Sequence, residues 1–74
     1  MSLDNATIAK VLNANYAAAA ELLAAAAREI AEAAQAAEET HINLAIGTAL
    51  GAEGAAQKAL SLIQAASTIR QATA

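Results

Sequence analysis

The stretch LGAEGAAQKAL, residues 50–60, places two of the three glycines three positions apart in a chain that otherwise has the composition of a helix. Gly51 suits the left-handed position just past a helix end, and the GAEG segment is the strongest turn signal in the sequence. We therefore predict that the chain reverses at residues 51–54, with a helix on each side of Gly54.

The sequence on both sides of this segment favours helix. Alanine, the best helix former, occupies 26 of the 74 positions, and proline is absent. Between residues 8 and 37 apolar side chains recur at steps of three and four, which predicts one apolar helix face. The apolar phase then changes, with Ile42, Ile46 and Leu50 pointing away from that face. We expect a turn or bend at residues 38–41 to explain the change, although no glycine or proline marks it.

The resulting architecture is all-α, with antiparallel helical hairpins in one domain, residues 1–74. We predict three to four helices, arranged as one hairpin over residues 3–37 and another over residues 40–72, with its turn at 51–54. A simpler arrangement is left open. In it, the first 36 or so residues form one uninterrupted helix, and residues 41–72 fold back as one kinked helix or two short ones.

The stretch IGTALGAEGAAQKALSLIQAA, residues 46–66, resembles the tetratricopeptide repeat, a helix-turn-helix unit. Small residues, Gly47 and Ala59, stand where two antiparallel helices cross closely, and Gly54 stands at the turn between them. Leu50, Leu60 and Ile63 then fill the seam. Residues 12–27 are similar to a degenerate copy of this unit. The sequence departs from the family pattern in lacking its usual aromatic residue and closing proline.

This resemblance implies a binding surface on the inner side of the first helices, where such repeats hold extended peptides. Carried over position by position, that groove comprises His41, Leu44 and Thr48. No lysine or arginine stands at these places, so the resemblance does not extend to gripping a peptide carboxylate. The alternative for Leu44 is ordinary packing in the core or between subunits.

The composition also predicts self-association. Only 15% of the residues are charged, against about 25% in typical soluble domains, and a chain this short builds a marginal core from so few bulky side chains. We expect a second copy of the chain to cover part of the apolar surface. The residues expected to pack or self-associate are Ile8, Leu12, Leu23, Ile30, Ile42, Ile46, Leu50, Leu60 and Ile63.

Chemical sites are sparse. Glu38 and His41 have the i, i+3 spacing of two metal ligands on one helix, but two ligands do not make a site. The serines and threonines have no histidine base near them in sequence, and the glycines match no phosphate-binding fingerprint. We predict no enzyme activity, cofactor or metal. Four scattered basic residues make no nucleic-acid surface.

The longest apolar, uncharged run, residues 42–52, is far shorter than a membrane span of about 20 residues, and the N-terminus does not have the pattern of a signal peptide. We therefore expect a soluble, cytoplasmic protein. Residues 17–39, AAAAELLAAAAREIAEAAQAAEE, also resemble computationally designed helices. Two functions are carried forward: a self-associating, non-catalytic scaffold, which need have no natural role, and a tetratricopeptide-like module that binds a peptide or protein.

Overall fold

The computed structural model describes residues 4–73, with side chains as far as Ile69, and forms a single helical hairpin. Helix α1 spans Asn5–Glu38 and helix α2 spans Ile42–Thr73. The two helices pack antiparallel along their length, in a body 57 × 16 × 11 Å. The all-α prediction is confirmed for these residues, which contain no strand.

The predicted three to four helices and the predicted turn at residues 51–54 are wrong; the simpler arrangement left open, one uninterrupted first helix with the rest of the chain folding back on it, is the one observed. Residues 5–37, expected as a hairpin, belong to one uninterrupted helix, and residue 3 lies outside the described residues. Helix α2 passes through residues 51–54 without a turn, so the hairpin expected over residues 40–72 is not formed. A glycine inside a helix costs only about 1 kcal/mol relative to alanine. Continuous packing of two long helices offsets that cost.

The chain reverses at residues 39–41, where a bend was expected. Thr40 has a φ of 63°, the left-handed conformation that glycine usually supplies at this position. Its N–H donates to the Ala37 carbonyl at 3.0 Å, and the N–H of His41 donates to the Ala36 carbonyl at 2.8 Å. These two bonds form a Schellman motif, which satisfies carbonyls at the end of α1. Helix α2 begins at the next residue.

The start of α1 is defined by a side-chain cap. The N–H of Thr7 donates to the Asp4 Oδ1 atom at 2.7 Å, the usual way in which aspartate satisfies a free amide at a helix N-terminus. This hydrogen bond holds the pKa of the Asp4 carboxyl below its ordinary value. The cap fixes where α1 begins, close to the end of α2.

The centre of the hairpin consists of alanine. Among the residues whose side chains the structure describes, the seven buried apolar residues are all alanines, and no large side chain is fully buried. Six of them repeat at intervals of seven, which is the spacing of a coiled-coil seam. They are Ala19, Ala26 and Ala33 on α1, and Ala52, Ala59 and Ala66 on α2. The small methyl groups let the two helices meet along a thin, continuous line, which we call the alanine seam.

Two contacts across the hairpin set its register. The Asn15 Nδ2 atom donates to the Leu62 carbonyl at 3.5 Å, and Glu29 lies against Gly51. This register brings Ala19 close to the level of Ala59, and Ala26 close to the level of Ala52. The two alanine rows therefore oppose each other at these two levels, while Ala33 lies near the level of Ala45 and Ala66 near that of Leu12.

Candidate functional site

The large apolar side chains lie mostly outside the alanine seam. Of the residues expected to pack or self-associate, Ile8 and Leu12 are half-buried beside the seam. The other seven are exposed to between 37% and 65% of their full area. They are Leu23, Ile30, Ile42, Ile46, Leu50, Leu60 and Ile63. Within one chain these side chains pack too loosely to form a core.

The two sides of the seam differ in chemistry. Asn15 and Glu29 face α2 on one side of the alanines, as their contacts with Leu62 and Gly51 show. Helical spacing places further polar residues farther out on that side, one position before or two positions after a seam alanine. They are Glu21, Arg28, Glu32, Lys58, Ser61 and Thr68. We call this the polar side of the hairpin.

The opposite side is apolar on both helices. On α1, Leu23 and Ile30 each follow a seam alanine by four positions, and Tyr16 precedes Leu23 by seven, so all three lie beyond the alanines from Asn15. On α2, the matching row lies three positions before the alanines that repeat every seven residues from Ala45 to Ala66. This row consists of Ile42, Ala49, Ala56 and Ile63. Two further residues, Ile46 and Leu60, lie next to it. We call these nine residues the apolar face; all are wholly or partly exposed.

The small residues singled out in the sequence have different surroundings from those expected. Ala59 is fully buried in the alanine seam. A methyl group added at Gly47 or Gly54 would meet nothing within 4 Å, so no close helix crossing occurs at Gly47 and no turn occurs at Gly54. Gly51 is also helical, and its missing side chain makes room for the Glu29 carboxylate.

The expected peptide groove is not assembled as a surface between helical repeats. His41 lies in the turn, Leu44 is exposed, and Thr48 is half-buried at the seam. Because residues 40–73 contain no helix-turn-helix, these three residues share one stretch of turn and helix and line no concave surface between helices.

His41 has a carboxylate neighbour, but a different one from that expected. Its Nδ1 atom is 3.7 Å from the Glu39 Oε2 atom, and both side chains are more than half exposed. Among the described residues, no group of three or more potential ligands is close enough to hold a metal ion. An exposed pair of this kind contributes little energy.

Two features of this arrangement were not predicted from the sequence. The seven-residue spacing of the seam alanines is visible in the sequence, but it is hidden among 26 alanines. Tyr16, the only aromatic residue, was not assigned to a packing surface, yet it stands in the same heptad row as Leu23 and Ile30. Comparing residues at intervals of seven would have found both.

Comparison with known proteins found no family model, curated protein or solved structure that matches this chain. Within the described residues, neither helix contains a segment both long enough and apolar enough to cross a membrane.

Proposed function

We propose that this chain is a soluble, non-catalytic structural protein that associates with copies of itself through its exposed helix surfaces. The observation that carries the proposal is the contrast between a core made of alanine and large apolar side chains left outside it. Burying one group the size of a methylene, comparable to the side chain of alanine, contributes about 0.8 kcal/mol to stability. Covering a leucine or isoleucine contributes about 1.5–3 kcal/mol. Most of the available hydrophobic stabilisation is therefore unused in the single chain.

The shape of the hairpin supports the same proposal. A compact monomer of 7.3 kDa exposes about 4,200 Å². This chain exposes 5366 Å², which exceeds that figure by roughly 1,200 Å². Stable protein interfaces cover about 800 Å² on each partner. The excess surface is thus large enough to supply a full interface.

Sedimentation equilibrium over micromolar to millimolar concentrations tests this proposal. We expect a mass that is a multiple of 7.3 kDa and that falls on dilution. Thermal unfolding followed by circular dichroism should then shift to higher temperature as the concentration rises, because association stabilises the folded chain by mass action. A mass of one chain throughout this range, with a melting temperature independent of concentration, would refute self-association.

A further inference from the structure

The apolar face carries seven of the ten exposed large apolar side chains among the described residues. The rows of residues that form this face, and the rows next to them, contain one charged residue between residues 9 and 67. It is Glu53, which lies between Ile46 and Leu60 at intervals of seven on α2. Soluble monomers rarely expose apolar patches of more than a few hundred Å². Seven large side chains, each at least 37% exposed, make this surface a docking site.

The arrangement of large and small side chains makes the apolar face complementary in shape to the same face of a second copy. On α1 the large side chains occupy the middle of the helix, with Leu23 between Tyr16 and Ile30. On α2 they occupy the two ends of the row, and the small residues Ala49 and Ala56 lie between them. The register of the hairpin puts Leu23 level with this alanine gap. When two such faces meet with α1 over α2, Leu23 of each copy lies over the gap of the other.

Charge also favours a second copy over other occupants. The charged residues next to the seam, Arg28, Glu32 and Lys58, stand on the polar side of the hairpin, where they stay in water when the apolar face is covered. The face itself offers no lysine or arginine between residues 9 and 67 for an anionic membrane surface. It also has no polar groups arranged to read the backbone of an extended peptide.

We propose that the apolar face is an isologous interface, covered by the same face of a second copy to give a four-helix bundle. Each copy contributes one layer of the bundle, made of its own α1 and α2. The alanine seam of each copy lies within its own layer. The large side chains of the four helices form the core that a single chain lacks. This inference rests on the proposed self-association and names the surface that performs it.

The chain offers a matched test with one kind of substitution. Leu23→Glu and Leu60→Glu place a carboxylate on the apolar face, at side chains that are 45% and 52% exposed. Leu44→Glu makes the same change at a side chain that is 60% exposed, on the polar side of the hairpin. We expect the first pair to raise the dissociation constant at least tenfold. We expect Leu44→Glu to leave it within about twofold of the original chain.

A measurement on the unchanged chain keeps the test independent of folding defects in the variants. Tyr16 is the only aromatic residue and lies on the apolar face, so its fluorescence reports whether that face is covered. Acrylamide quenching should be weak at concentrations where the chain is associated and should increase on dilution to the monomer. Helicity measured by circular dichroism identifies any variant that fails to fold.

The outcomes separate this inference from the proposed function. Association that persists in Leu23→Glu and Leu60→Glu, or Tyr16 that is fully quenchable in the associated state, would overturn the inference while self-association stands. A chain that is monomeric at millimolar concentration overturns both. So does a monomer that instead binds phosphatidylcholine vesicles with Tyr16 protected, because the occupant is then a lipid surface.

Discussion

Gly51 of α2 lies against Glu29 of α1, and a methyl group at residue 51 would stand 2.9 Å from the Glu29 Oε2 atom. The glycine that most resembles a turn signal in the sequence thus belongs to a helix and leaves room for a carboxylate at the edge of the alanine seam. The other two glycines face open space. The three positions therefore differ in what a side chain would meet, although their local sequences are similar.

Gly47→Ala and Gly54→Ala should each stabilise the hairpin by about 1 kcal/mol, the difference in helix propensity between glycine and alanine. Denaturant unfolding at one fixed protein concentration measures this change. Because both residues lie away from the apolar face, the dissociation constant should not change. A loss of stability in either variant would mean that these glycines make a contact between copies.

Gly51→Ala should stabilise the chain by several tenths of a kcal/mol less than Gly54→Ala, because the Glu29 side chain has to rotate away from the new methyl group. A double-mutant cycle with Glu29→Ala isolates this term. In the Glu29→Ala background, Gly51→Ala should regain the full effect of about 1 kcal/mol. An identical effect of Gly51→Ala in both backgrounds would contradict the contact.

Thr40→Gly should raise the free energy of unfolding by about 0.5–1 kcal/mol. A residue with a side chain pays roughly 1–2 kcal/mol in the left-handed conformation, and the greater freedom of glycine in the unfolded chain cancels part of this gain. Thr40→Ala, which keeps a Cβ atom, is the control and should not give the same gain. Equal stability of the glycine and alanine variants would show that the turn leaves the left-handed conformation in solution.

Ala59→Leu should destabilise the hairpin by about 1–3 kcal/mol, because a fully buried methyl position in a close helix contact has no space for a larger side chain. Ala31→Leu makes the same change at an exposed position of α1 and should be nearly neutral. Chemical denaturation of both variants measures the difference. If Ala59→Leu were as stable as Ala31→Leu, the alanine seam would not be the contact between the helices.

The Asp4 cap should weaken in acid. Its pKa is lowered in the folded chain by the hydrogen bond from the Thr7 N–H. Its contribution is therefore complete above the unfolded value of 3.8 and is lost as the pH falls through the lower folded value. The protection factor of the Thr7 amide, measured by NMR and corrected for the intrinsic pH dependence of exchange, should fall over that range. Asp4→Asn keeps a capping oxygen without the titration, so exchange in that variant should not show this step.

The sequence by itself determined the helical class, the antiparallel arrangement and the reversal near residue 40. Alanine content, the absence of proline and the apolar phase change after Glu38 act locally, so they can be identified without knowing the partner helix. Most of the face of α1 that packs on α2 was also predicted, including Ile8 and Leu12. The break expected at residues 51–54 was wrong because the helix propensity of glycine is a small local energy.

Only the tertiary structure decided which of the many alanines are buried and which large residues are left outside. The three- and four-residue spacing already placed Ala19 and Ala26 on the apolar face of α1, but that face also included Leu23, which the structure leaves 45% exposed. The choice depends on register, since Ala19 comes level with Ala59, and Ala26 with Ala52, only when the helices are continuous and the reversal lies at residues 39–41. That long-range packing kept α2 helical through Gly54 and placed Tyr16, Leu23 and Ile63 on one side of the hairpin.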